Sequence, residues 1–232
     1  MPGPFEYVIW FLCTLFEAAV VVCSLSRGAF RRYFILNIYM GASCVLSLAR
    51  FQVLSHYGFK SSEYFYFYYY SDALLTIGLY FTLISLYSRV FEEMKAERYV
   101  RVGALLLMAG TAAFTFAIVQ QSSARILTRF VVELSQNLYF IGLVLTYLLW
   151  GAIMKLRETR TRLIQLVLST GVYFSVFAAN YALRNLYPEL HFVWGYLPPI
   201  IGCLLPLAWA YAIWRLPEEA RLAPARLTMV PR

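Results

Sequence analysis

The sequence predicts an all-α fold, a polytopic helical membrane protein with seven transmembrane helices. Of its 232 residues, 61% are hydrophobic and only 14% are charged, whereas a soluble domain carries about 25% charged residues. Mean hydropathy is +0.64, and several apolar runs exceed the ~18 residues that indicate a membrane span. This composition excludes a soluble enzyme, a nucleic-acid-binding domain and a disordered protein. The lipid bilayer is the expected surrounding.

The seven spans are predicted from apolar runs bounded by charged or turn residues. These runs are long and continuous, which excludes the short alternating strands of a membrane β-barrel. Residues 1–214 form one seven-helix domain, and residues 215–232 form a short basic tail containing proline. The predicted spans are 6–26, 33–57, 64–90, 99–121, 128–154, 163–187 and 193–214.

Lysine and arginine predict the orientation of the chain. Fifteen of the 20 basic residues lie on one side of the predicted bundle, in the segments at 27–32, 89–101, 155–162 and 215–232. Basic loops stay in the cytoplasm, so we expect the N-terminus outside and the C-terminus in the cytoplasm. Short loops and a compact tail favour a plasma membrane, with a bacterial inner membrane preferred.

Spans one to three each carry one ionisable residue in an otherwise apolar run. Glu17 lies about ten residues into span one, or roughly 15 Å along a helix. Arg50 and Asp72 lie in the outer parts of spans two and three. Span three begins with seven consecutive aromatic residues at 64–70. An aromatic belt at the membrane boundary is the expected interpretation, and an aromatic ligand wall is the alternative.

Span four differs from the others because it is uncharged between Arg101 and Arg125. Ala109, Ala113 and Ala117 recur at a spacing of four residues, which lets another helix approach closely. We expect packing within the protein, with a surface for a partner in a membrane complex as the alternative.

Spans five and six present polar residues at helical spacing. Glu133, Gln136 and Asn137 follow this pattern in span five, and Asn180 and Arg184 follow it in span six. Together with the charges of spans one to three, these residues predict a polar and aromatic chamber that opens to the outside. The predicted chamber residues are Glu17, Arg50, Asp72, Glu133, Gln136, Asn137, Asn180 and Arg184, with the aromatic residues Tyr69, Tyr80, Tyr173 and Phe177.

A proline-rich run predicts a break in span seven. Each proline removes one backbone hydrogen bond and clashes with the preceding turn. Broken helices expose carbonyl groups that line cavities in transporters. The predicted break residues are Gly195, Pro198, Pro199, Gly202 and Pro206.

The ionisable residues within the spans allow three interpretations. Inserting an ionisable group into hydrocarbon costs roughly 2.5–3.5 kcal/mol of free energy. Each such group is therefore expected to have a structural partner or a functional role. The charges could form ion pairs that fix helix register, line a ligand chamber, or carry protons. Because Glu17 lies deepest in the predicted bundle, it is the candidate proton carrier.

The ends of spans three and seven indicate an internal repeat. Both have an aromatic residue followed by R-x-x-E-E, starting at Arg89 and Arg215. Two parallel three-helix units joined by span four, a 3+1+3 plan, would place these ends in equivalent positions. The alternative is coincidence, since every cytoplasmic helix end favours arginine.

Several chemistries are not expected. No lysine lies within a span, which excludes a retinal Schiff base. His56 and His191 are far apart in the sequence, and a metal or haem site would need a denser ligand set. We therefore expect no enzymatic activity, no metal and no cofactor.

The leading function predicted from the sequence is a sensor or receptor. It would bind a ligand in the chamber and pass the change to a separate cytoplasmic protein partner. One alternative is an accessory or structural subunit of a larger membrane complex, docked through span four. The other is a proton-coupled secondary transporter that uses Glu17 and the break in span seven.

Overall fold

The computed structural model describes residues 4–92, 97–120, 126–155, 160–187, 189 and 191–218. Over these ranges the chain forms seven α-helices and no strand. Each helix begins and ends within two residues of a predicted span, which confirms the all-α prediction. The helices are α1 (Pro4–Ser26), α2 (Phe34–Tyr57), α3 (Ser62–Val90), α4 (Glu97–Val119), α5 (Ile126–Lys155), α6 (Thr161–Leu186) and α7 (His191–Arg215).

Six of these helices, α1 to α6, are long and apolar enough to cross a membrane. Their apolar windows have mean hydropathies between 1.5 and 2.3. An apolar helix of this length matches the hydrocarbon thickness of a bilayer. The chain is therefore a multi-pass membrane protein. The predicted tail lies outside the described residues from position 219 onward.

The helices form a ring. In this ring α1 packs on α2, α2 on α3, α3 on α5, α5 on α6, α6 on α7, and α7 on α1. A smaller contact joins α3 to α6, and α4 packs outside the ring against α5 and α3. Within each of the three-helix runs α1–α3 and α5–α7, every helix therefore packs on the next helix of the run. Helix α4 belongs to neither run.

Local sequence signals explain where the first helices end and where α3 begins. Gly28 follows α1 with φ +64°, and Gly58 ends α2 with φ +83°; glycine adopts these left-handed conformations at little cost. Ser61 then caps α3, because its hydroxyl accepts a hydrogen bond from the Tyr64 backbone N–H at 3.1 Å. These signals produce the short connection between α2 and α3.

The main core lies inside the ring and contains large, fully buried side chains from several helices. Trp209 of α7, Phe174 of α6 and Leu83 of α3 are 0% exposed. At the interface of α5 and α6, Gly142 lies directly under the Phe174 ring. This close approach sets the position of α6 and of the aromatic residues that it carries.

Candidate functional site

Glu17 is the buried acidic residue of α1, and α2 supplies its hydrogen-bond donors. The Ser43 hydroxyl donates to one carboxylate oxygen at 2.6 Å, and the Ser47 hydroxyl donates to the other at 3.2 Å. Glu17 is only 9% exposed. Two neutral hydroxyl groups therefore solvate this carboxylate in place of water.

Arg50 of α2 lies beside the first half of α3. Its Nε donates to the Ser71 hydroxyl at 2.7 Å, and one Nη donates to the Tyr68 carbonyl at 3.3 Å. The guanidinium carbon also lies 4.6 Å from the centre of the Tyr68 ring, a favourable cation–π geometry. Arg50 interacts electrostatically with the carboxylates of Glu17 and Asp72, which makes these three charged residues one group.

An aromatic cluster from α5 and α6 faces this charged group. The Phe177 ring stacks on Tyr173 with centroids 4.4 Å apart and on Tyr139 at 4.9 Å. Tyr181 extends the cluster, at 5.7 Å from Tyr139. Tyr139, Tyr173 and Tyr181 all lie within electrostatic range of the Asp72 carboxyl group. Asp72 is therefore the point at which the charged group meets the aromatic cluster.

Two members of the charged group, Asp72 and Arg50, have unused hydrogen-bonding capacity. No hydrogen bond or ion pair reaches the Asp72 carboxylate from the described residues, and one of the two Nη atoms of Arg50 has no described acceptor. The buried atoms Asn180 Oδ1 and Trp209 Nε1 also lack partners within the described residues. The Asp72 carboxylate and the remaining Arg50 Nη can therefore bind a polar ligand group, which marks the charged group as a candidate binding site.

A cleft of about 610 Å³ adjoins the site between α1 and α2. Ser47 both lines the cleft and donates to Glu17, so the cleft reaches the edge of the charged group. Its walls are largely aromatic and aliphatic, with rings from Tyr7, Trp10, Phe11 and Phe51. An apolar cleft with one polar end suits an amphipathic ligand.

The other predicted chamber residues lie apart from this centre. Asn137 donates to the Thr115 hydroxyl at 2.9 Å and thereby joins α5 to α4. Glu133 and Gln136 are half-buried, and Arg184 is exposed. No ion pair from the described residues reaches Glu133 or Arg184. The structure therefore groups Glu17, Arg50 and Asp72 and does not bring Glu133 to them, whereas Arg184 lies within electrostatic range of Tyr181 at the edge of the aromatic cluster.

Two of the four predicted chamber aromatics, Tyr173 and Phe177, belong to the aromatic cluster. Tyr69 packs on neighbouring rings of the aromatic run at the start of α3, with its ring 4.5 Å from Phe65. Tyr80 is 1% exposed and donates to the Ala104 carbonyl at 2.9 Å. Its position between α3 and α4 is a packing position in a second, smaller core.

The run predicted to kink or break span seven lies inside α7, which extends from His191 to Arg215 and includes the three prolines. Membrane helices tolerate interior prolines because neighbouring helices, side chains and local adjustments of the backbone satisfy the freed carbonyl groups. The Pro199 carbonyl also accepts a contact from the Cys13 thiol of α1 at 3.6 Å. Gly202 and Pro206 lie inside the same helix, and the surroundings of Gly195 lie outside the described side chains.

The opposite end of the bundle holds a charged network that the sequence did not reveal. Glu218, just after α7, pairs with Arg162 at the start of α6 and with Arg32 before α2 at 3.0 Å. Arg162 is only 5% exposed, and it also donates to the carbonyls of Ile213 and Leu216 at the end of α7. The network therefore fastens the end of α7 to α6 and to the α1–α2 connection.

Tyr33 is part of this network and precedes α2, outside the helices. Its hydroxyl donates to Glu218 at 3.2 Å. Burial, reinforced by the nearby Glu218 carboxylate, raises the pKa of Tyr33 to about 12. The neutral phenol is therefore the form that the folded protein stabilises.

Tyr139 is the site residue most clearly missed by the sequence analysis. The pattern that could have found it is the spacing of Ser135, Tyr139, Gly142 and Thr146, at i, i+4, i+7 and i+11. All four are buried, whereas Glu133 and Gln136 on the face chosen from the sequence are half-buried. Small polar and aromatic residues, rather than charges, therefore marked the inward face of α5.

Comparison of the chain with models of protein families, with curated proteins and with solved structures gave no match. The functional argument therefore depends on the geometry of the site alone.

Proposed function

We propose that this protein is a multi-pass membrane sensor that binds an amphipathic ligand and signals to a separate cytoplasmic partner. The observation that carries the proposal is the cleft between α1 and α2, which reaches the Glu17–Arg50–Asp72 group through Ser47. The apolar body of the ligand would lie among the aromatic rings. Its polar end would form hydrogen bonds with the Asp72 carboxylate and with the Arg50 Nη that has no described acceptor.

The partners of the charged residues favour this interpretation over ion pairs that fix helix register. A register-fixing pair would place an arginine against a carboxylate, since breaking such a buried pair costs roughly 3–5 kcal/mol. Here Glu17 and Arg50 are held by hydroxyl and carbonyl groups instead. Charges that are solvated but not neutralised by a close partner can still bind a polar ligand.

A route for the signal follows from the connection between α1 and α2. These helices enclose the cleft, and the segment that joins them carries Arg32 and Tyr33, which hold Glu218 at the end of α7. A ligand that changes the spacing of α1 and α2 would move this contact. The tail that follows Glu218 would then be presented differently to a cytoplasmic partner.

Native mass spectrometry of the protein extracted gently from its own membrane tests the binding step. We expect a small-molecule adduct on the wild-type chain and its loss in Ser47→Trp, where the larger side chain fills the cleft. Val45→Trp is the matched control, because Val45 lies on the same helix, is 65% exposed and does not line the cleft. A bare wild-type chain, or an adduct that survives in Ser47→Trp, would overturn the proposal.

Hydrogen exchange tests the signalling step without knowledge of the ligand. Because Ser47→Trp would imitate an occupied cleft, we expect faster amide exchange near Leu216 in this variant than in the wild type. Val45→Trp should exchange like the wild type. Unchanged exchange near Leu216 in Ser47→Trp would refute the route through the α1–α2 connection.

The topology of seven spans, with the N-terminus outside and the C-terminus in the cytoplasm, is part of the proposal. The equivalent neighbour order of α1–α3 and α5–α7 supports the 3+1+3 plan, and the basic loops support the orientation. In a cysteine-free background, an impermeant maleimide should label Lys60→Cys on intact cells. It should label Arg31→Cys only after permeabilisation, and the reverse result would invert the topology.

A subunit of a larger membrane complex is the second candidate function. The observation that favours it is that Ala109, Ala113 and Ala117 are all exposed on α4, outside the ring. This face is therefore free to receive another helix. Co-purification of a second protein in fixed ratio, lost in Ala113→Leu, would support this function over the sensor.

A further inference from the structure

A groove of about 490 Å³ lies at the opposite end of the bundle from the charged group around Glu17. It is bounded by the start of α2, the end of α3 and the first half of α4. Its apolar wall includes Ile35, Phe81, Ile84 and Leu105. From Phe81 on α3 to Glu92, two residues after this helix, the chain rises by about 16 Å, roughly half of the ~30 Å hydrocarbon thickness. The groove therefore extends through about one leaflet.

One polar strip, at the end of α3 and just after it, lines this groove. Ser85, Ser88, Arg89 and Glu92 follow a spacing of i, i+3, i+4 and i+7, which places them on one side of the chain. Thr82, one turn earlier, donates its hydroxyl to the Gly78 carbonyl at 3.0 Å. By contrast, neither serine hydroxyl has a hydrogen-bond partner among the described residues. Both hydroxyl groups are therefore available to a ligand.

Arg89 and Glu92 supply opposite charges at the polar end of the groove. The Arg89 guanidinium donates to the Arg32 carbonyl through one Nη, which leaves most of its five N–H donors unused by the described residues. The Glu92 side chain is 50% exposed and forms an ion pair with Arg160 at 3.7 Å through one carboxylate oxygen, which leaves its other oxygen without a partner among the described residues. A cation and an anion one turn apart match a zwitterion.

We propose that this groove binds one phospholipid with a phosphoethanolamine headgroup. The phosphate accepts hydrogen bonds from Arg89 and Ser88, the ammonium group donates to Glu92, and an acyl chain lies along the apolar wall. A choline headgroup has no N–H to donate to the carboxylate, and a glycerol headgroup has no positive charge. This lipid site is separate from the α1–α2 cleft and does not depend on the proposed sensor function.

Titration of the delipidated protein by native mass spectrometry, with three lipids of identical acyl chains, tests the assignment. We expect the first phosphatidylethanolamine to bind about fivefold more tightly than phosphatidylcholine or phosphatidylglycerol. Glu92→Gln should remove this preference while phosphatidylcholine binding stays unchanged. Arg89→Gln should weaken all three lipids by about tenfold, because each headgroup contains the phosphate.

A second pair of variants tests the groove without touching a charged residue. Leu105→Trp should block the acyl chain, whereas Val102→Trp, at a position of similar exposure outside the groove, should not. Equal binding of the three lipids by the wild type would mean an ordinary lipid shell and would overturn the proposal. Tightest binding of phosphatidylglycerol would overturn the headgroup assignment, and unchanged binding by Leu105→Trp would overturn the location.

Discussion

Gly142→Ala is expected to destabilise the interface between α5 and α6, where the aromatic cluster is anchored. A Cβ at this position would lie 2.2, 2.5 and 2.6 Å from three atoms of the Phe174 ring. Phe174 is 0% exposed and packs within the main core, so its ring can move aside only by displacing its neighbours. Overpacking of this kind costs about 1–3 kcal/mol, and it displaces the helix that carries Tyr173, Phe177 and Tyr181.

Gly151→Ala in the same helix is the matched control. No atom lies within 4 Å of the Cβ position at Gly151, so this substitution should gain the roughly 0.5–1 kcal/mol by which alanine favours a helix over glycine. The free energies of unfolding of the two variants should therefore differ by roughly 1.5–4 kcal/mol.

Thermal unfolding in detergent, followed by circular dichroism, measures this difference. The double variant Gly142→Ala/Phe174→Leu should recover part of the loss, because the smaller side chain removes the clash. If Gly142→Ala and Gly151→Ala unfold alike, α5 and α6 do not approach as closely as described. The position assigned to the aromatic cluster would then be wrong.

Three further predictions concern single contacts. Ser43→Ala should lower the free energy of unfolding by about 1.5–3 kcal/mol, because it removes the shorter hydrogen bond to the Glu17 carboxylate; wild-type stability would contradict that contact. Arg162→Ala should lower the free energy of unfolding by about 3 kcal/mol in the same assay, since it removes a buried partner of Glu218. A decrease below about 0.5 kcal/mol would show that the network contributes little to stability. Folding raises the pKa of Tyr33 to about 12, so the neutral phenol contributes to the free energy of unfolding. This contribution is complete below pH about 10 and is lost as the pH rises to about 12. Ultraviolet titration of tyrosinate should therefore give the same curve for wild type and Tyr33→Phe up to pH about 11, with a difference of one tyrosinate above it; an earlier divergence would refute the raised pKa.

The helices were predictable from the sequence, but the faces that they turn inward were only partly so. Long apolar runs determine where a membrane helix begins and ends, because hydrocarbon allows few other structures. The inward face of α5 was missed because the prediction relied on the charged residue Glu133, whose side chain is only half-buried. The face that is buried carries uncharged residues such as Ser135 and Tyr139. The pairing of Arg162 with Glu218 joins residues 56 positions apart, and no local pattern in the sequence indicates it.

The distribution of charge partners connects the candidate site with the proposed mechanism. At the Glu218 end, guanidinium groups meet carboxylates directly, so α6, α7 and the α1–α2 connection are held together by ion pairs. Around Glu17 and Arg50, hydroxyl groups and a carbonyl take the place of counter-charges. These hydrogen bonds are charge-assisted but involve no ion pair, so the polar end of a ligand can replace a hydroxyl or carbonyl group without leaving a charge unpaired, whereas breaking a buried ion pair does leave one. The arrangement therefore places the exchangeable contacts beside the cleft and the strong ones at the end from which the tail leaves, and α1 and α2 connect the two.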